Sequence, residues 1–173
     1  MLSVQWLLSK GLVGGCLLLL LSACGSTEGF HLRGTDPLAM QQAKVAVLGE
    51  SGTEFGNSVR AALQSHGAVL SDPSTASILL TLQAPVELRR VSGYSTTRAV
   101  NAFRYTTEAK FSLQRQGTAE VVADSVAQSQ VQTYDNEYVL GAEEESDQIK
   151  AGLKRDLARL LALKVAAFQR NSP

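Results

Sequence analysis

The chain has 173 residues, with 16 basic and 16 acidic side chains, two histidines, two cysteines and 45% apolar residues. That length suits one ordinary domain, and a charged fraction of 18% with balanced signs is unlike a disordered tail. Zero net charge also removes the global basic field that non-specific nucleic-acid binding needs, so no nucleic-acid partner is expected.

Residues 1–10 carry one charge, Lys10, and an apolar run follows over residues 11–21. Crossing about 30 Å of hydrocarbon takes roughly 20 apolar residues, about twice this run. A positive start, a short apolar middle and small residues before the cut describe a secretory signal peptide over residues 1–23. Leu21-Ser22-Ala23-Cys24 matches the bacterial lipobox, in which the cysteine is lipidated and becomes the mature N-terminus. A single acyl chain anchors a protein marginally, and two or more anchor it stably. The resemblance to bacterial lipoproteins, which carry three, implies lasting membrane attachment through Cys24. Gly25 follows it, where Asp would be the inner-membrane retention signal of lipoproteins. This favours the outer membrane. Cys16 falls in the leader and Cys24 carries the lipid, so the mature chain is expected to have no free thiol and no disulfide. No cofactor beyond the covalent lipid is expected.

Residues 24–42 read as a lipidated tether and 43–173 as one domain. Lys44–Leu48 is a short apolar run ending at Gly49, consistent with a buried strand. Ser51 and Glu54 have capping-box spacing. Phe55, Val59, Ala62 and Leu63 then share a helical face, and Gly67 is a fitting stop. A long period-two stretch follows. It predicts Ile78, Leu80, Leu82, Ala84, Val86 and Leu88 on one face, with Thr81, Gln83, Glu87 and Arg89 on the other. Pro85 argues for an edge or a bulge there. The next strand puts Ala99, Phe103, Tyr105, Ala109, Phe111 and Leu113 inward and Arg98, Arg104, Thr106, Glu108 and Lys110 outward. Gln116-Gly117 predicts a turn, and residues 119–131 a further strand. From Glu143 the period becomes helical, with Ile149, Leu153, Leu157, Leu160, Leu161 and Phe168 as the apolar stripe. The cluster Glu143–Glu144–Glu145 is expected at the favourable end of that helix dipole. The elements assemble as an α+β fold, a four-stranded mixed sheet with two α-helices packed on one face and the other face free.

Few residues carry the signature of a chemical site. Neither His31 nor His66 has metal-ligand spacing, His66 reads as a helix cap, and no nucleotide, P-loop or serine-hydrolase motif occurs. No enzyme and no metal site are expected. The charges, though, are segregated. Residues 87–115 hold six basic side chains against Glu87 and Glu108, residues 116–149 hold eight acids and no base, and residues 150–173 hold six bases against Asp156. A hairpin turning over residues 92–97 would gather Arg89, Arg90 and Arg98 near its tip. Two readings of this basic face stand open. Guanidinium groups suit phosphate or carboxylate ligands, and charge on exposed strands also blocks edge-to-edge aggregation.

Cys24-Gly25 followed by Gly29-Phe30-His31-Leu32-Arg33-Gly34 resembles the start of the lipopolysaccharide-assembly lipoprotein family LptE. Val59-Arg60 through Gly67, and Tyr134-Asp135-Asn136 ahead of Leu140, are similar to it as well. Ser26-Thr27-Glu28 departs from the family's close spacing, and Gly141-Ala142-Glu143 stand where relatives offer a lysine. The resemblance implies two helices on a four-stranded sheet and an outer-membrane location within a barrel complex. It implies a role as plug of the LptD β-barrel and binding of lipopolysaccharide. Arg89, Arg90 and Arg98 would then meet lipid A or core phosphates, with Tyr94 as a packing contact. The alternative is a periplasm-facing lipoprotein adaptor that binds a protein partner without a lipid ligand.

Overall fold

The structure is a computed structural model, and it describes residues 40, 42–50, 52–133 and 139–170. All of these belong to one compact unit, Asp36–Pro173. The expected leader, Cys24, His31, Ser51 and Tyr134-Asp135-Asn136 lie outside the described residues.

Lys44–Leu48 forms strand β1. Gly49 ends it at φ +67°, and a Cβ there would collide with the Leu82 carbonyl oxygen, so only glycine lets the chain turn this close to its neighbour. Glu54–Ser65 is helix α1, buried through Phe55, Val59, Ala62 and Leu63 as the periodicity predicts. Its N-cap is Thr53, whose Oγ1 accepts from the Gly56 amide at 3.0 Å. Glu54 is therefore the first helical residue and too early to close the expected box with Ser51. At the other end Gly67 takes φ +86°, and the Ala68 amide donates to the Leu63 carbonyl at 3.0 Å. His66 caps this end, its Nδ1 2.8 Å from the Ala62 carbonyl oxygen.

The remaining elements are β2 (Val69–Leu70), β3 (Ile78–Leu82), β4 (Val86–Tyr94), β5 (Val100–Arg115), β6 (Val121–Thr133) and α2 (Val139–Arg170). β1 pairs with β2 and β3 in parallel, and the other pairings are antiparallel. The 16-residue β5 organises the sheet. Its C-terminal half pairs with β3 and its N-terminal half with β4, while β6 runs along its opposite edge. β3 and β4 are thus two segments of one line, and with β2 as a two-residue addition the expected four-strand plan stands.

The break in that line corrects one expectation. Leu82 faces Phe111 while Val86 faces Glu108, so four steps on one side match three on the other. One extra residue enters around Ala84-Pro85, where proline has no amide to donate, and the side chains change face. Val86 and Leu88, expected inside with Ile78, Leu80 and Leu82, are 56% and 45% exposed. Glu87 and Arg89, expected on the free face, turn to the helix side, where Glu87 lies 2.7 Å from Lys154 of α2.

Both helices cover one face of the sheet, α2 packing on α1, β5 and β6. The main core joins Val59 and Leu63 of α1, Leu80 of β3, Phe111 of β5, and Leu157 and Leu161 of α2. A smaller cluster of Tyr105, Ile149 and Leu153, with Phe103 against it, lies under the earlier part of α2. Beside it is a polar tie. Tyr105 donates to Gln132 Oε1 at 3.1 Å, and Gln132 Nε2 donates to the Ala142 carbonyl and to Glu145, each at 2.9 Å. Since α2 begins at Val139, no acid stands in its first turn. The acidic cluster therefore does not serve the helix end; Glu145 holds β6 instead.

Candidate ligand-binding hairpin

β4 and β5 form the basic hairpin. Its turn lies at Ser95–Ala99, slightly later than expected. The Arg98 amide donates to the Ser95 carbonyl at 2.9 Å, and the Ser95 amide donates to the Ala99 carbonyl at 2.8 Å. This is a three-residue connection whose last position is left-handed, a place that glycine fills most readily. Arg98 occupies it at φ +62°. Gly93 lies close to β5 on the approach, where a Cβ would meet Asn101 Oδ1 at 2.8 Å and Ala102 Cβ at 3.1 Å and displace the Asn101 side chain. That crowding coincides with the register irregularity between Val91 and Tyr94.

The hairpin divides its arginines between two faces. Arg89 stands opposite Tyr105 on the helix side, its guanidinium 3.7 Å from the Phe103 ring centre. It lines a groove of about 260 Å³ with Glu87, Tyr105, Ser146 and Lys150. The cations there have partners. Lys150 is 2.8 Å from Asp147, a hydrogen bond that holds its pKa above the ordinary lysine value, and Lys154 is on Glu87.

Arg90 stands on the other, uncovered face, directly opposite Arg104 of β5. Arg104 is in turn opposite Val131 of β6, and Leu88, Thr106 and Ser129 form the adjacent row. Tyr94 pairs with Val100 near the tip and is 67% exposed. The structure therefore joins Arg90 to Arg104 and separates both from Arg89. Arg104 was legible in the sequence as an outward residue, but its partner depended on the register.

The geometry is that of a small α+β domain, with one sheet face under helices and one open and basic. Among the described residues no group of acids, histidines and cysteines could hold a metal, and no helix is long and apolar enough to cross a membrane. Residues 38–165 match the family model LptE, described as lipopolysaccharide-assembly. The chain belongs to the LptE family, a non-enzymatic family of lipopolysaccharide-assembly lipoproteins.

Solved structures share the fold. The rare lipoprotein B from Shewanella oneidensis superposes with a TM-score of 0.65 at 14% identity, covering 74% of this chain and 97% of that one. A lipoprotein B from Nitrosomonas europaea gives 0.66 at 16% identity, covering 83% and 94%. A minor lipoprotein from Acinetobacter baumannii gives 0.61 at 14% identity, covering 73% and 92%. No curated protein matches the chain in sequence.

Proposed function

We propose that this protein is an outer-membrane lipoprotein, anchored through acylated Cys24 after removal of residues 1–23. In this reading it plugs the LptD β-barrel and binds lipopolysaccharide during its assembly at the cell surface. The family match over residues 38–165 carries the reading. Physical chemistry supports it. Large barrels leave a lumen that their own side chains cannot fill, and a packed domain with polar outer faces suits a polar lumen. The hairpin bearing Arg89, Arg90, Arg98 and Tyr94 is the part offered to lipid phosphates, and residues 24–42 tether the domain formed by residues 43–173.

Detergent-solubilised outer membrane provides the test. The full-length chain should co-purify stoichiometrically with a β-barrel of LptD type, and Cys24→Ser should remove the protein from the outer-membrane fraction. Recovery with a soluble periplasmic partner and no barrel would replace the plug by the adaptor role.

A further inference from the structure

We infer that Arg90 and Arg104 form a phosphate-binding pair on the uncovered face of the sheet, and that Leu88 and Val131 beside them receive an aliphatic chain of the same ligand. The inference rests on the lipopolysaccharide reading and assigns that ligand's phosphate to two residues. Three observations carry it.

The first is the register. Arg90 and Arg104 are direct cross-strand partners, so their Cβ atoms stand about 4.5–5.5 Å apart on one face. Like charges placed this way repel, and a bound anion reverses the sign of that interaction.

The second is the absence of an internal counter-charge. Among the described residues neither guanidinium is in a salt bridge, and Arg104 has only a 3.5 Å contact from Nη1 to the Ser129 hydroxyl. Glu108, the acid on the same face of β5, is four residues from Arg104, roughly 13 Å along the strand. Protection of a sheet edge explains a charge on β4, but β5 lies between β4 and β6 and has no free edge. Edge protection therefore does not account for Arg104.

The third is the apolar company. Leu88 precedes Arg90 by two residues and shares its face, while Val131 faces Arg104 from β6. They are 45% and 42% exposed. Two forked cations flanked by two exposed aliphatic side chains match a phosphomonoester carried on an acylated sugar. The forks bind oxygens and the aliphatic groups cover the start of a chain.

The test uses the full-length lipoprotein in detergent with immobilised lipopolysaccharide, the same material after enzymatic dephosphorylation, and phosphatidylglycerol vesicles. Arg90→Gln with Arg104→Gln should weaken binding of intact lipopolysaccharide at least about tenfold, as expected for loss of two charge-assisted contacts. Dephosphorylation should weaken the unmodified protein by a similar factor and leave the double variant unchanged. Arg155→Gln with Arg159→Gln, which removes the same charge from α2, should have no effect. Leu88→Gln should cost a few-fold.

Inorganic phosphate should raise the Tm of the unmodified protein and not that of the Arg90→Gln, Arg104→Gln variant, which also keeps folding and binding apart. If the unmodified protein binds lipopolysaccharide and the double variant binds equally, the pair is not the site and the assembly role stands. If the unmodified protein binds none, the lipid reading falls with it. Equal loss in the α2 variant, or equal retention on phosphatidylglycerol vesicles, overturns the assignment to this phosphate.

Discussion

Two halves of one sheet share the strand β5 and behave differently. The half built from β1, β3 and the C-terminal part of β5 is backed by both helices, and its inward side chains are almost wholly buried. The half built from β4 and the N-terminal part of β5 has a small cluster beneath it and an edge strand exposed over nearly its full length. The first half holds the molecule together. The second trades stability for accessible charge, and one extra residue near Pro85 separates the two.

The comparison is sharpest in the core. Leu161→Ala, at a fully buried position of α2, should cost about 2–5 kcal/mol by chemical denaturation. Val91→Ala in β4, 44% exposed, should stay within about 0.5 kcal/mol. Equal losses would mean that the halves unfold as one packed body with no weaker region.

Next comes the polar tie under α2. Tyr105→Phe leaves Gln132 Oε1 without its donor in a buried setting and should cost about 1–3 kcal/mol. Amide exchange in β6 near Gln132 should accelerate with it. An unchanged exchange rate there would show that water replaces the hydroxyl and that the tie is dispensable.

A smaller change of opposite sign is expected at the tip. Arg98→Gly removes a left-handed non-glycine residue and should stabilise the hairpin by about 1 kcal/mol, seen as a higher Tm. A lower Tm would mean that the Arg98 side chain contributes more to the folded hairpin than its backbone costs.

The smallest effect is electrostatic. Lys164 lies 2.7 Å from Asp124 and, with the Ser125 amide, holds the Asp124 carboxyl below its ordinary value of 3.8. Because the folded pKa is the lower one, the contribution is fully present above 3.8 and fades as pH falls through the folded value. In Lys164→Met the Asp124 midpoint, followed by NMR titration, should move up toward 3.8. An unmoved midpoint would assign the shift to the Ser125 amide.

Much of the fold was legible in the residues. The strand at Lys44–Leu48, the helix face of Phe55 to Leu63, the stop at Gly67 and the inward set of β5 follow from period and glycine placement, which are local properties. The Thr53 cap was missed because Glu54 already belongs to the helix, and the acidic cluster was misread because α2 starts four residues earlier than its apolar stripe suggests. Pro85 announced a bulge, but not that the alternation would restart out of phase.

Sequence by itself therefore determined the class, an α+β domain, and the presence of a basic hairpin within a neutral chain. The hairpin's chemistry was decided only by tertiary structure. Strand register is set by pairing with β5, and a single inserted residue sends Arg89 against Phe103 and Arg90 against Arg104. Composition counts these arginines alike; the sheet gives them different neighbours.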